Sequence, residues 1–294
     1  MAVTLAPSEI FDAQIHIWAD APADSPWPPE WRARAHRFPA LGAEELLALL
    51  DETGVGRAVL VQPSWAGDSN DVVCGAARRH SDRFAVMARL AIAQVDDESV
   101  LDELAAEPTV AGVRLTFHRP EMQQWLVDGT TDRLWPALAE RGLAAMVYAP
   151  YRNAELGHIA RRHPSLRLAV DALGLTLTQR DAEIDEPLAD LERLADVPNI
   201  VLKATALPAY VSDGYPFASL GPRLRWLFDR FGSDRIFWAS DLTRVAQPYR
   251  SIVEFPGHLG VLDDDELRAF MGRSLARWLG LGALLPTLRN EVRP

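Results

Sequence analysis

Eight short apolar runs rich in β-branched residues, separated by stretches with helical spacing, constrain the fold of this chain more than any other feature. They are IFDAQIHIW (10–18), RAVLVQ (57–62), FAVMARL (84–90), AGVRLTF (111–117), LAAMVY (143–148), LRLAVDAL (166–173), NIVLKAT (199–205) and RIFWASD (235–241). Several are apolar almost throughout, the pattern of parallel strands covered on both faces. Between them lie segments such as AEELLALLDETG (43–54) and TDRLWPALAERG (131–142), which end in the glycine that commonly follows a last helical turn. A late segment, DDDELRAFMGRSLARWLG (263–280), opens with carboxylates at the positive end of a helix dipole. Eight strands alternating with helices predict a single (β/α)8 TIM barrel, one α/β domain spanning 1–294.

An open doubly wound sheet is the structural rival. It would place a glycine-rich phosphate turn after the first strand, where this chain has ADAPADSPWPPEWRARAHRFPALG instead. That stretch, 19–42, is stiffened by Pro and Trp and is expected to cap the barrel mouth or an outer surface. A second insert, 206–217, follows the seventh strand and offers Tyr210 or Tyr215 to the same roof. At 294 residues, with 48% hydrophobic and 24% charged side chains, the chain can bury one large core. Its net charge of −11, without a Lys/Arg-rich segment, argues against nucleic acid or an anionic membrane as partner. One cysteine, Cys74, makes neither an intramolecular disulfide nor a thiolate metal site. With no apolar run of membrane-spanning length, a cytoplasmic protein with a small-molecule substrate is expected, and a homo-oligomer stays open.

Side chains at the C-terminal ends of barrel strands face a common mouth. Strand one supplies Asp12, Gln14 and His16, whose spacing of two predicts a shared face. The fourth offers Arg114, with His118 and Arg119 beyond its end, and the fifth ends in Tyr148. Asp171 closes the sixth run, Lys203 lies in the seventh, and Asp241 ends the eighth with Arg244 beyond. Trp18 and Trp65, near strand exits, are candidates to line an aromatic pocket.

Five of these strings, in order, resemble the amidohydrolase-2 branch of the amidohydrolase superfamily. FDAQIHIW resembles its first-strand Asp-x-His-x-His, GVRLTF its Gly-Val-Arg, and DALG its Asp-His-x-Gly; IVLKAT resembles its lysine segment and FGSDRIFWASDL its eighth-strand motif. The resemblance implies a barrel and, in metal-dependent members, a divalent ion held by first-strand histidines, a later histidine and the eighth-strand aspartate. This chain keeps His16 and Asp241 but has Gln14, Ala172 and Tyr148 at positions where relatives place histidines. An amide oxygen is a poor substitute for imidazole on zinc, so a metal-free site without cofactor is expected. The alternative is one divalent metal such as zinc on His16, His118 and Asp241.

The branch includes lactonases resembling 2-pyrone-4,6-dicarboxylate hydrolase, which open a cyclic ester without a required metal and use the eighth-strand aspartate as base. The resemblance therefore implies a hydrolase acting on a lactone or other activated carbonyl of a small, carboxylated or aromatic-derived metabolite. Asp241 would be the general base, with His16 and Gln14 polarising the carbonyl or holding water. Arg114, Arg119 and Arg244 would bind a carboxylate or oxyanion, Tyr148 would donate a hydrogen bond, and Lys203 would neutralise nearby carboxylates. An aromatic-acid decarboxylase, an acid-base isomerase or cyclase, and a silent binding barrel are the alternatives.

Overall fold

A computed structural model, which describes residues 5–20, 32–91 and 97–281, folds each apolar run into a strand. In order these are β1 (Phe11–Ile15), β2 (Arg57–Val61), β3 (Phe84–Arg89), β4 (Val110–Thr116), β5 (Ala144–Tyr148), β6 (Leu168–Val170), β7 (Ile200–Thr205) and β8 (Ile236–Ala239). All neighbours pair in parallel in the order β1 to β8, giving a (β/α)8 TIM barrel with helices around it. The seam between β8 and β1 is joined by Asp241 N–H donating to the Gln14 carbonyl at 3.1 Å. Where the ladder is irregular, the Asp12 carboxylate accepts from Ser240 N–H at 2.9 Å.

Alternation along the strands divides the interior. Phe11, Ala13, Val59, Val61, Met87, Met146, Val201 and Phe237 fill the barrel, while Ile15, Ala58, Leu60, Val86 and Leu202 pack outward against helices. The helix Ser274–Trp278 adds Leu275 and Trp278 to the inner cluster, with the Trp278 ring 5.5 Å from Phe237. This apolar packing closes the end where the strands begin. Truncating a fully buried ring such as Phe237 to Ala would cost about 3–5 kcal/mol.

Local sequence explains several boundaries. Helix Ala43–Thr53 starts with Glu44 and Glu45 and ends on Gly54, whose φ of 72° lets its N–H reach the Leu50 and Asp51 carbonyls. Gly112 in β4 is required by close approach, since a Cβ there would lie 2.1 Å from the Ala144 carbonyl oxygen. The late helical run divides into Asp264–Arg268, a π-helical turn Ala269–Arg273 and Ser274–Trp278, with Asp263 capping the first.

Two expectations need correction. The sixth run stops at Val170, because Ala172 and Leu173 adopt left-handed φ values of 51° and 54° and turn the chain out of the sheet. In β1, Asp12 pairs with Ala58 and Ile15 with Leu60, so three steps on one strand match two on the other. This bulge reverses the phase of the strand. Asp12 therefore points outward to Tyr249, while Gln14 and His16 turn inward, so the three do not share a face. Within the insert 19–42, residues 21–31 lie outside the described residues. Among the described residues no helix is long and apolar enough to cross a membrane.

Candidate active site

At the open end, a cavity of about 440 Å3 is bordered by Gln14, His16, Arg114, Tyr148, Asp171 and Asp241, each from a different place on the strand ends except the first two. Its floor is a connected set of polar side chains. Asp171, fully buried, accepts from Arg114 Nε at 2.5 Å, Thr205 Oγ1 at 2.8 Å and Lys203 Nζ at 3.1 Å. Burial pushes the Asp171 pKa up, but Arg114, Lys203 and these hydrogen bonds outweigh it and hold the carboxyl below its usual range. Lys203, also fully buried, has its pKa pushed down by desolvation, against the pull of Asp171. Its ammonium also donates to Gln14 Oε1 at 2.5 Å.

The arrangement around His16 follows from that anchor. With its oxygen held by Lys203, Gln14 turns its amide nitrogen toward His16 Nε2, 3.4 Å away. The other ring nitrogen, Nδ1, lies 2.7 Å from the Val61 carbonyl, which only accepts, so the proton sits on Nδ1. Burial is the main cause that lowers the His16 pKa to about 3, and Arg114, Lys203 and Arg244 add to it. Neutral His16 thus has Nε2 as an acceptor at the chamber wall, where the Gln14 amide donates to it at 3.4 Å. Asp241 Oδ1 stands 3.4 Å from that nitrogen, buried and without a hydrogen-bond partner. Desolvation raises the Asp241 pKa, opposed by Arg244 and His36. Two acceptors face one space.

The backbone holding them is unusual. Asp241 has φ of 49°, and Tyr151, Ala172 and Ala206 on the same rim are also left-handed. Such positions cost about 1–3 kcal/mol each for residues with a Cβ and cluster where side chains must be aimed. Asp12 supports the pair from outside, accepting from Gln14 N–H at 3.0 Å, Ser240 N–H and Tyr249 Oη at 3.0 Å. Its burial raises the pKa to about 6 despite those donors.

The remaining candidates are distributed as follows. Arg114 lies with its guanidinium 5.4 Å from the Tyr148 ring centre, its Nε bonds Asp171 and its Nη1 bonds Thr116, which leaves the Nη2 edge for a ligand. Burial raises the Tyr148 hydroxyl pKa to about 12, keeping it protonated. His118 and Arg244 border the chamber, whereas Arg119 stands in an adjoining depression. Trp18 is not on the chamber wall: it is buried behind, edge-on to Trp65 at 5.3 Å and to His36 at 6.0 Å. Tyr210 joins the wall with its buried hydroxyl unpartnered, but Tyr215 turns away and bonds His258. His36, from the insert 19–42, comes within 5.6 Å of the His16 ring and sits 2.8 Å from Thr243 Oγ1. No sequence signal marks that placement, because a loop histidine belongs to no periodic pattern.

The metal set does not assemble. Among the described residues no group of three or more His, Cys, Asp and Glu side chains is arranged to hold an ion, so His16, Asp241 and His118 do not form one. The position of the missing histidine is Gln14, whose oxygen already receives an ammonium proton. A divalent ion there would meet the Lys203 ammonium, so Gln14 does not serve as a ligand in the place of that histidine.

Comparison with known proteins agrees with the barrel. The family model described as Amidohydrolase matches residues 11–281. An L-fucono-1,5-lactonase of Burkholderia ambifaria is 27% identical over 232 residues, covering 78% of this chain and 79% of that protein. Among solved structures, an amidohydrolase of Burkholderia multivorans with bound zinc superposes with a TM-score of 0.76 at 19% identity, covering 92% and 99% of the two chains. A Pseudomonas putida protein designated a 2-pyrone-4,6-dicarboxylic acid hydrolase gives 0.72 at 19% identity, covering 92% and 97%. At these identities the structures speak to the fold.

Proposed function

The chain belongs to the amidohydrolase family of hydrolytic enzymes, and on that premise we propose that it opens a small lactone by water attack, with Asp241 as general base and no resident metal. One observation carries this reading: the buried Asp241 Oδ1, without a donor of its own, faces the chamber 3.4 Å from His16 Nε2. A water above the pair donates one proton to Asp241 Oδ1 and turns the other toward His16 Nε2, which it shares with the Gln14 amide. That leaves its oxygen lone pair directed at a carbonyl carbon in the chamber.

The water oxygen bonds to the carbonyl carbon while its proton passes to Asp241. Charge develops on the former carbonyl oxygen, where the Tyr148 hydroxyl and the uncommitted edge of Arg114 act as donors. The ring C–O bond then breaks, and Asp241 returns the proton to the departing alkoxide, releasing a hydroxy acid. His16 holds the water rather than polarising the carbonyl, because its only N–H is engaged with Val61. Lys203 fixes Gln14 and neutralises Asp171, leaving Asp241 as the carboxylate able to accept a proton.

The lactonase relative supports a ring ester as substrate. A decarboxylase built on first-strand metal ligands is disfavoured, since Gln14 is already tied to Lys203. The test is base uptake at constant pH by the purified enzyme on a panel of aldono-1,4-lactones, aldono-1,5-lactones and pyrone carboxylates. Turnover with kcat/KM of about 10⁴ M⁻¹s⁻¹ or more on one class is expected. Binding without turnover across the panel would leave a silent barrel instead.

A further inference from the structure

Three buried polar atoms on residues of the chamber wall have no hydrogen-bond partner among the described residues: Asp241 Oδ1, Gln62 Oε1 and Tyr210 Oη. The first faces the attacking water. The other two have no part in that chemistry. A buried polar atom without a partner is costly, and a bound molecule that supplies one recovers the loss.

Their chemistry says what that molecule must offer. Gln62 follows β2 directly, and its amide nitrogen donates to the Ala66 carbonyl at 3.4 Å. A carbonyl only accepts, so this contact assigns the nitrogen and leaves Oε1 as a pure acceptor. Tyr210 closes the turn Leu207–Tyr210 beyond β7 and is fully buried. Burial raises its hydroxyl pKa, and Tyr148, Asp171 and Asp241 push it the same way against Arg244, so the phenol keeps its proton. Strand order fixes where the two stand. Because β7 adjoins β8 and β2 adjoins β1, Tyr210 and Gln62 flank the Asp241–His16 pair on opposite sides. His16 is itself tied to the end of β2 through the Val61 carbonyl, next to Gln62.

We propose that Gln62 and Tyr210 determine specificity by binding hydroxyl groups of the lactone on either side of its ester, Gln62 by accepting a hydrogen bond and Tyr210 by donating one. This rests on the lactonase reading and selects a ring with free hydroxyls. A pyrone carboxylate, whose oxygens only accept at neutral pH, leaves Gln62 Oε1 without a donor. A site built to bond a hydroxyl discriminates strongly against a ring that lacks it, because the buried protein atom is then left unpaired.

The experiment compares kcat/KM for the aldonolactone turned over best, its monodeoxy analogues, and the parent ring without hydroxyls, δ-valerolactone or γ-butyrolactone. The aldonolactone is expected to exceed the parent ring by about 10²-fold or more, with the loss concentrated in the analogues lacking the contacted hydroxyls. In Gln62→Met and in Tyr210→Phe the ratio of aldonolactone to parent ring falls by about tenfold, the step that one hydrogen bond supplies, and each variant ceases to discriminate against a different deoxy analogue. Tyr210→Phe leaves the melting temperature of the ligand-free protein undiminished, since the hydroxyl has no partner there to lose. A lower melting temperature with an unmoved ratio makes the hydroxyl structural and refutes its part. If the parent ring or a pyrone carboxylate matches the aldonolactone, or the ratio is unmoved in both variants, the assignment is refuted while the lactonase stands. A ratio that moves in one variant only keeps that residue and refutes the other. Turnover of no ring ester removes the lactonase reading, and this inference with it.

Discussion

Replacing Asp171 by Asn tests whether Lys203 is a neutralised structural cation. The substitution keeps the volume but removes the charge that faces Arg114 at 2.5 Å and Lys203 at 3.1 Å. Lys203 would remain fully buried with Gln14 Oε1 at 2.5 Å and the Met146 sulfur at 3.5 Å as neutral neighbours. Removing one partner of a buried ion pair costs about 3–5 kcal/mol, most of it the stranded charge. At roughly 2–3 °C per kcal/mol for a chain of this size, the melting temperature followed by circular dichroism should fall by roughly 6–15 °C at pH 7. The sign of the pH dependence is fixed. Lys203 has a folded-state pKa below its unfolded value, so it contributes stability as pH rises through that window. The Asn variant strands the ammonium further, lowers that pKa again, and should recover part of its deficit toward pH 10. Adding Lys203→Met removes the stranded charge, so the double variant should be more stable than the sum of the single losses predicts. A loss under about 1 kcal/mol, or strict additivity of the two changes, would refute the reasoning.

Three further outcomes follow from the geometry. The acid limb of kcat/KM should lie above the ordinary aspartate value of 3.8, since Asp241 must be ionised and burial raises its pKa; His16, neutral down to about 3, adds no limb near 6.5. A limb at 6.5 would point to a histidine base. Dialysis against a chelator, checked by elemental analysis, should leave kcat unchanged, and added zinc should not raise it; a requirement for stoichiometric zinc would overturn the metal-free mechanism. Tyr148→Phe should lower kcat by about 10²-fold with a smaller change in KM, as loss of an oxyanion donor does, whereas an unchanged kcat would remove the phenol from the mechanism.

The barrel was legible because strands covered on both faces are largely apolar, and this chain has eight short runs of that kind alternating with helical segments. What periodicity does not encode is an inserted residue. The bulge between Asp12 and Ile15 has no signature in FDAQIHIW, so alternation put Asp12 on the wrong face while placing Gln14 and His16 correctly together. Likewise DALG reads as strand until Ala172 and Leu173 adopt a left-handed turn that local residue type does not favour. Identity at strand ends revealed Gln14, His16, Arg114, Tyr148 and Asp241, but not their partners. That Arg114 spends its donors on Asp171 depends on a contact between β4 and the end of β6. His36 was hidden for the same reason, since its neighbours come from distant parts of the chain.

The central claim is that Asp241 takes the proton of the attacking water. Its most direct test is kcat of Asp241→Asn on the best lactone, with product affinity measured by calorimetry alongside. A fall of about 10²–10⁴-fold is expected, the range of a positioned general base, with affinity within a few-fold of the unaltered enzyme. A variant that keeps kcat within tenfold would contradict it.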